Sequence, residues 1–167
     1  MYQVGDLIIY STHGLCKIED ISEKNIGGVS RTYYVMHPIE DAKLTISIPK
    51  AAGEKNMQSL MNKEEAQLIM ESFRYPGIPW VEDARDRHKK FSGIVKTGER
   101  KEISRVANSL MRKEDELHSD KKRLSEQDRK LLESIQNILF QELAVSLDKP
   151  MEEIAEEVHS MIKQKAV

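Results

Sequence analysis

Near residue 50 the spacing of apolar side chains changes, and no architecture built from one kind of element satisfies both parts of the chain. Upstream the apolar residues come in short runs suited to strands, one of them with a period of two; downstream they follow the three-and-four spacing of amphipathic helices. The upstream runs are "DLIIYS" (6–11), "GLCKIEDIS" (14–22), "RTYYVMHP" (31–38) and "KLTISIPK" (43–50). They are rich in Ile, Tyr, Val and Thr, which suit a pleated, half-buried surface. In the last run Leu44, Ile46 and Ile48 alternate with Thr45 and Ser47. The separators Thr12-His13-Gly14, Asn25-Ile26-Gly27-Gly28 and Glu40-Asp41-Ala42 carry turn chemistry. Short antiparallel strands packed into roughly fifty residues predict a small β-barrel of the SH3 or Tudor sort. So small a barrel holds little beyond its own core, so its surface or an edge strand is the expected binding element.

The remainder reads as α-helix. Asn62 is a good N-cap, with Glu64 and Glu65 in the first turn and Ala66, Ile69, Met70 and Phe73 on one face. A second stripe is Val81, Ala84, His88, Phe91 and Val95, which predicts a helix over 81–96 with His88 packed inward; Gly98 supplies a left-handed cap. Ile103, Val106, Ala107, Leu110 and Met111 form a third. Ser125 and Asp128 resemble a capping box opening a long helix with Leu132, Ile135, Leu139 and Leu143 on its apolar face. Pro150 suits the first turn of a last helix carrying Met151, Ile154, Ala155, Val158 and Ile162. These stripes pack only on one another, which predicts a compact helical bundle. The expected class is α+β: a barrel over 1–52, a linker over 53–61 and a bundle over 62–167.

Enzyme chemistry finds little support. The single Cys16 excludes an internal disulfide and a Cys-rich zinc site; with His13 it makes only a two-ligand pair, and the core is its expected place. Gly27-Gly28 is a turn and no phosphate-loop pattern occurs. No catalytic residue, metal or cofactor is expected. No apolar run reaches membrane-spanning length and the N-terminus lacks a secretory pattern, so no membrane contact and a cytoplasmic location are expected.

The net charge of −2 conceals an asymmetry. Residues 84–130 hold 15 Lys/Arg against 9 Asp/Glu, whereas 131–167 hold 3 against 7. The excess begins beside the only tryptophan, in "FRYPGIPWVEDARDRHKKF" (73–91), where Pro76 and Pro79 stiffen the approach to Trp80. Arg85, Arg87, Lys89 and Lys90 follow at once; Lys96, Arg100, Lys101 and Arg105 continue the series, and Lys113, Lys121, Lys122, Arg123, Arg129 and Lys130 add a second strip if the bundle brings the helices together. This points to an anionic partner, with DNA or RNA phosphates engaged by the cations and Trp80 stacking on an unstacked base. A hydrophobic plug between barrel and bundle is the competing role for Trp80. The segment "SLDKPMEEIAEEV" has the look of a recognition-helix start, but Glu152, Glu153, Glu156 and Glu157 would repel phosphate.

"YQVGDLIIYSTHGLCKIEDI", then "YYVM" and "LTISIPK", then a lone Trp before a basic helix ending in "TGE", resemble the CarD/CdnL family of bacterial transcription regulators. The N-terminal pattern is shared with the polymerase-binding module of the transcription-repair coupling factor Mfd. The resemblance implies a Tudor-like domain on the β subunit of RNA polymerase and a helical domain on promoter DNA at the upstream edge of the bubble, stabilising the open complex. Trp80 matches the tryptophan that enters the minor groove, and Lys113 and Arg129 align approximately with basic positions used by relatives; Arg85, Arg87, Lys89 and Lys90 are the phosphate contacts expected from the charge cluster itself. Lys24, with Ile26 beside it, matches a basic polymerase contact. The family's second contact is an arginine where this chain has Ser47, which shifts weight onto backbone pairing along Thr45, Ile46, Ser47 and Ile48. The expected protein is a monomeric, non-enzymatic regulator. The alternative is a protein-interaction module without DNA contact.

Overall fold

The computed structural model describes residues 1–10 and 13–164. Ser11 of the first expected strand and Thr12 of the first expected turn lie outside them. The chain divides into two compact units, Met1–Leu60 and Met61–Val167. The class is α+β.

The first unit is a five-stranded antiparallel sheet of order β4-β3-β2-β1-β5. Its strands are β1 (Leu7–Tyr10), β2 (Gly14–Ile26), β3 (Val29–Pro38), β4 (Ile46–Pro49) and β5 (Met57–Ser59). β4 and β5 are the two edges; no ladder joins them among the described residues. The turn between β2 and β3 is tighter than expected. Only Gly27 and Gly28 intervene, at φ 61° and 80°, the left-handed pair that suits the twist of a two-residue hairpin. A register shift between Ile18 and Asp20 marks a bulge in β2. Ile8, Cys16, Ile18, Tyr34, Met36 and Met57 form the buried core of this unit. Cys16 thus lies inside, as its neighbours suggested, and burial pushes its thiol pKa up to about 11.

Two boundaries differ from the sequence reading. The expected linker over 53–61 contains β5, which pairs Met57 with Tyr10 and Gln58 with Ile9. The pairing reaches back some fifty positions, which local pattern does not reveal. The expected strand over 43–50 shortens to β4; Thr45 precedes it, and Leu44 is 40% exposed. A short helix, α1 (Lys50–Gly53), follows β4 directly.

The second unit holds α2 (Lys63–Ser72), α3 (Ala84–Lys96), α4 (Arg100–Ser119), α5 (Glu126–Leu147) and α6 (Met151–Lys163). The Asn62 Oδ1 accepts from the Glu65 backbone N–H at 2.8 Å, and the Ser125 Oγ accepts from that of Asp128 at 3.2 Å. Gly98, at φ 74°, follows the last turn of α3. α3 begins at Ala84, capped by Asp83, rather than at Val81. Its inner face is Arg87 and Phe91; Ala84 is exposed and His88 only half-buried, so the expected stripe is rotated by about one position. Phe73, Phe91, Val106, Leu110, Leu132, Leu139, Leu143, Ile154 and Val158 are among the residues that fill one core. No helix among the described residues is long and apolar enough to cross a membrane.

One ion pair ties the opening of this unit to its centre. Glu142 on α5 is 2% exposed. It accepts from the Met61 backbone N–H at 2.9 Å and from the Arg100 guanidinium at 2.8–2.9 Å. Burial raises the Glu142 pKa above the ordinary glutamate value, although Met61 and Arg100 both pull it down. A carboxyl whose folded pKa exceeds its unfolded value favours folding below the unfolded value and loses that contribution as pH rises through the folded one. Glu142→Gln removes this dependence. In urea titrations at increasing pH, wild type is expected to lose stability relative to the variant over the window just above the ordinary glutamate pKa. A constant difference between the two would contradict this.

Candidate nucleic-acid interface

The segment between α2 and α3 carries Trp80, and α4 fixes its path. Four α4 side chains donate to its backbone carbonyls. Asn108 Nδ2 reaches Ser72 O and Tyr75 O at 3.3 and 2.8 Å, and Arg112 Nη2 reaches Phe73 O at 2.7 Å. Ser109 Oγ reaches Ile78 O at 2.5 Å, and Arg105 Nη2 reaches Gly77 O at 3.5 Å. Carbonyls drawn against a helix face away from water need such partners. Stiffness was expected from Pro76 and Pro79; the hydrogen bonds from α4 add a second restraint. Arg105, Asn108, Ser109 and Arg112 stand at i, i+3, i+4 and i+7, a polar stripe at helical spacing that a search for apolar periodicity passes over.

Trp80 is partly buried against the core of its own unit. It meets the Phe91 ring edge-on, with centroids 6.0 Å apart and planes at 72°. The Arg87 guanidinium lies 4.5 Å from the indole centroid and the Lys113 Nζ 5.4 Å. Cations at these distances are drawn to the negative faces of an aromatic ring.

Arg87 is where the sequence reading needs correction. As an expected phosphate contact it would face solvent, but it is 7% exposed. Its Nε lies 3.1 Å from both Asp128 carboxylate oxygens, and its Nη2 donates to Asp128 Oδ2 at 2.7 Å. Its Nη1 donates to Val81 O and Glu82 O at 2.9 and 3.2 Å. Two positions after Arg85 and two before Lys89, it points to the opposite side of α3. Residue type alone cannot distinguish a solvated arginine from one with a buried carboxylate waiting for it.

Arg129 is also committed. It is exposed, but Nη2 meets Glu126 Oε1 at 2.6 Å and Nη1 meets Glu133 Oε2 at 3.0 Å. Its hydrogen bond holds the Glu126 carboxyl below the ordinary glutamate pKa. Arg100 pairs with Glu142, and Arg105 lies 3.3 Å from Glu102. Of the remaining expected contacts, Arg85, Lys89 and Lys90 are exposed on α3. Lys113 is the one the fold brings to the tryptophan, with Glu116 3.6 Å from its Nζ.

In the sheet unit, Lys24 and Ser47 are brought together: Lys24 Nζ donates to Ser47 Oγ at 3.1 Å and lies 5.6 Å from the Tyr33 ring centroid. Ile26, 62% exposed, stands at the end of the hairpin. Ile46 and Ile48 pack on the sheet's core, so they would offer a partner their backbone rather than their side chains; Thr45 and Ser47 face outward. No group of three or more His, Cys, Asp or Glu among the described residues is placed to hold a metal ion.

The sheet unit and the helical unit each match a family model. The CarD-like/TRCF RID domain matches residues 2–61, and the CarD C-terminal domain matches residues 69–159. The chain belongs to the CarD-like family. It is 30% identical over 150 residues to a Bacillus subtilis (strain 168) protein described as "Putative transcription factor YdeB", covering 87% of this chain and 92% of that protein.

Proposed function

We propose that this protein regulates transcription by holding promoter DNA open while docked on RNA polymerase. The sheet unit grips the polymerase β subunit through the edge strand β4 and through Lys24 and Ile26, by strand addition and side-chain contact. The helical unit sets Arg85, Lys89, Lys90 and Lys113 against phosphates, which position it without reading sequence. Trp80 enters the minor groove at the upstream edge of the bubble and keeps unstacked bases apart.

The observation that carries this reading is the indole itself: partly buried, framed by two cations, on a segment pinned carbonyl by carbonyl to α4. A ring held in advance in one orientation loses little freedom when it inserts, so more of its stacking energy survives as binding. Membership of the CarD-like family and the transcription-factor description of the Bacillus relative support the same reading. A regulator of this kind needs only a differential affinity for open over closed DNA; about 1 kcal/mol moves the population several-fold.

Trp80→Ala tests it. The variant is expected to bind polymerase as wild type does and to lose its effect on open-complex lifetime, measured by competitor challenge on a promoter fragment. Unchanged lifetime would refute the wedge and leave a protein-interaction module as the better account.

A further inference from the structure

The buried charges behind Trp80 have no part in the proposed contact with DNA. Arg87 places hydrogens on both Asp128 oxygens and on two consecutive carbonyls, Val81 O and Glu82 O, immediately after the tryptophan. Asp128 in turn accepts from the Ser125 hydroxyl at 2.9 Å, at the first turn of α5. The side chains of the ion pair are only 8% and 5% exposed. Neither charge is available to a phosphate, and the cost of desolvating both is offset only by good geometry and further hydrogen bonds, which this pair has. The guanidinium plane, fixed at both ends, lies against the indole.

We infer that Arg87 and Asp128 are positioning residues for the Trp80 indole: the α5 carboxylate orients the guanidinium, and the guanidinium fixes the ring and the backbone that follows it. The fork geometry of arginine matters here, since lysine offers a single charge with neither plane nor second row of donors. Asp128 therefore governs what the tryptophan does without touching DNA. The effect on promoter opening rests on the wedge reading above; the effect on the ring does not.

The test separates the two. Arg87→Met with Asp128→Leu, in the full chain, removes both charges together and keeps apolar volume, so the fold has no orphaned ion to bury. Arg87→Lys is the second variant, keeping a charge for Asp128 while losing the plane and the carbonyl fork. With the thermal midpoint near wild type, acrylamide quenching of the sole tryptophan is expected to rise about twofold in either variant as the ring gains rotamers. Open-complex lifetime is expected to fall several-fold, and the same changes on a Trp80→Ala background are expected to do nothing further. Quenching identical to wild type in both variants would overturn the inference. If Trp80→Ala alone leaves the lifetime unchanged, the wedge fails while the quenching result still decides the positioning role.

Discussion

Asp128→Ala is expected to cost the helical unit about 3–5 kcal/mol, the range for removing one partner of a buried ion pair. The loss is this large because Arg87 cannot reach water from its place under α5. Truncation strands a guanidinium whose Nε and Nη2 have lost their acceptors, and the Ser125 hydroxyl loses one as well. At about 4 °C or more per kcal/mol for a unit of this size, the thermal midpoint should fall by at least about 12 °C. Circular dichroism melts check it. Glu126→Ala is the control: it removes one of two exposed carboxylates around Arg129 and should leave the melt where it was. A drop of only a degree or two for Asp128→Ala would mean that the pair is solvated in solution.

Gly77→Ala should be the most damaging single methyl group in the tryptophan segment. A Cβ there would stand 2.4 Å from Ser109 Oγ, 2.5 Å from Arg105 O and 2.8 Å from Ser109 N. The last two are backbone atoms of α4 and cannot move alone. The hydroxyl is engaged with Ile78 O and gives up that bond if it turns away. The segment must therefore lift from α4, at a cost of about 1–3 kcal/mol, and Trp80 moves with it. A shift in tryptophan emission and a shorter open-complex lifetime are the expected readouts. Gly93→Ala supplies the contrast: nothing lies within 4 Å of its Cβ, so helix propensity should stabilise α3 by up to about 1 kcal/mol. Wild-type emission and stability in Gly77→Ala would show that the segment is not seated on α4 in solution.

The legible parts of this molecule are those written in neighbouring residues. Asn62 and Ser125 announce helix starts because a cap is a contact within three positions, and Gly27-Gly28 marks its hairpin because only glycine takes two successive positive φ angles cheaply. The stripe Leu132, Ile135, Leu139 and Leu143 is buried as its spacing implies. What escaped is long-range and polar. β5 pairs with a strand near the chain's start. Arg87 and Asp128 lie 41 positions apart and look like surface charges until the fold joins them. Of the capping box expected at Ser125 and Asp128, the Ser125 half forms as expected, while the Asp128 carboxylate accepts from the Ser125 hydroxyl and from Arg87. Trp80 stands out in the sequence as its only tryptophan. The α4 residues that hold its segment do not, since Asn, Ser and Arg at helical spacing resemble any wet helix face.

Arg87, Arg100 and Arg112 spend their charge inside the protein's own architecture, on Asp128, on Glu142 and on the carbonyls of the tryptophan segment. Each cation withdrawn from the surface is one fewer counterion released from a bare duplex. A chain that clung to arbitrary DNA would be soaked up by the chromosome. Under the role proposed above, a feeble grip on bare duplex leaves the protein free to be recruited by polymerase already stationed at a start site.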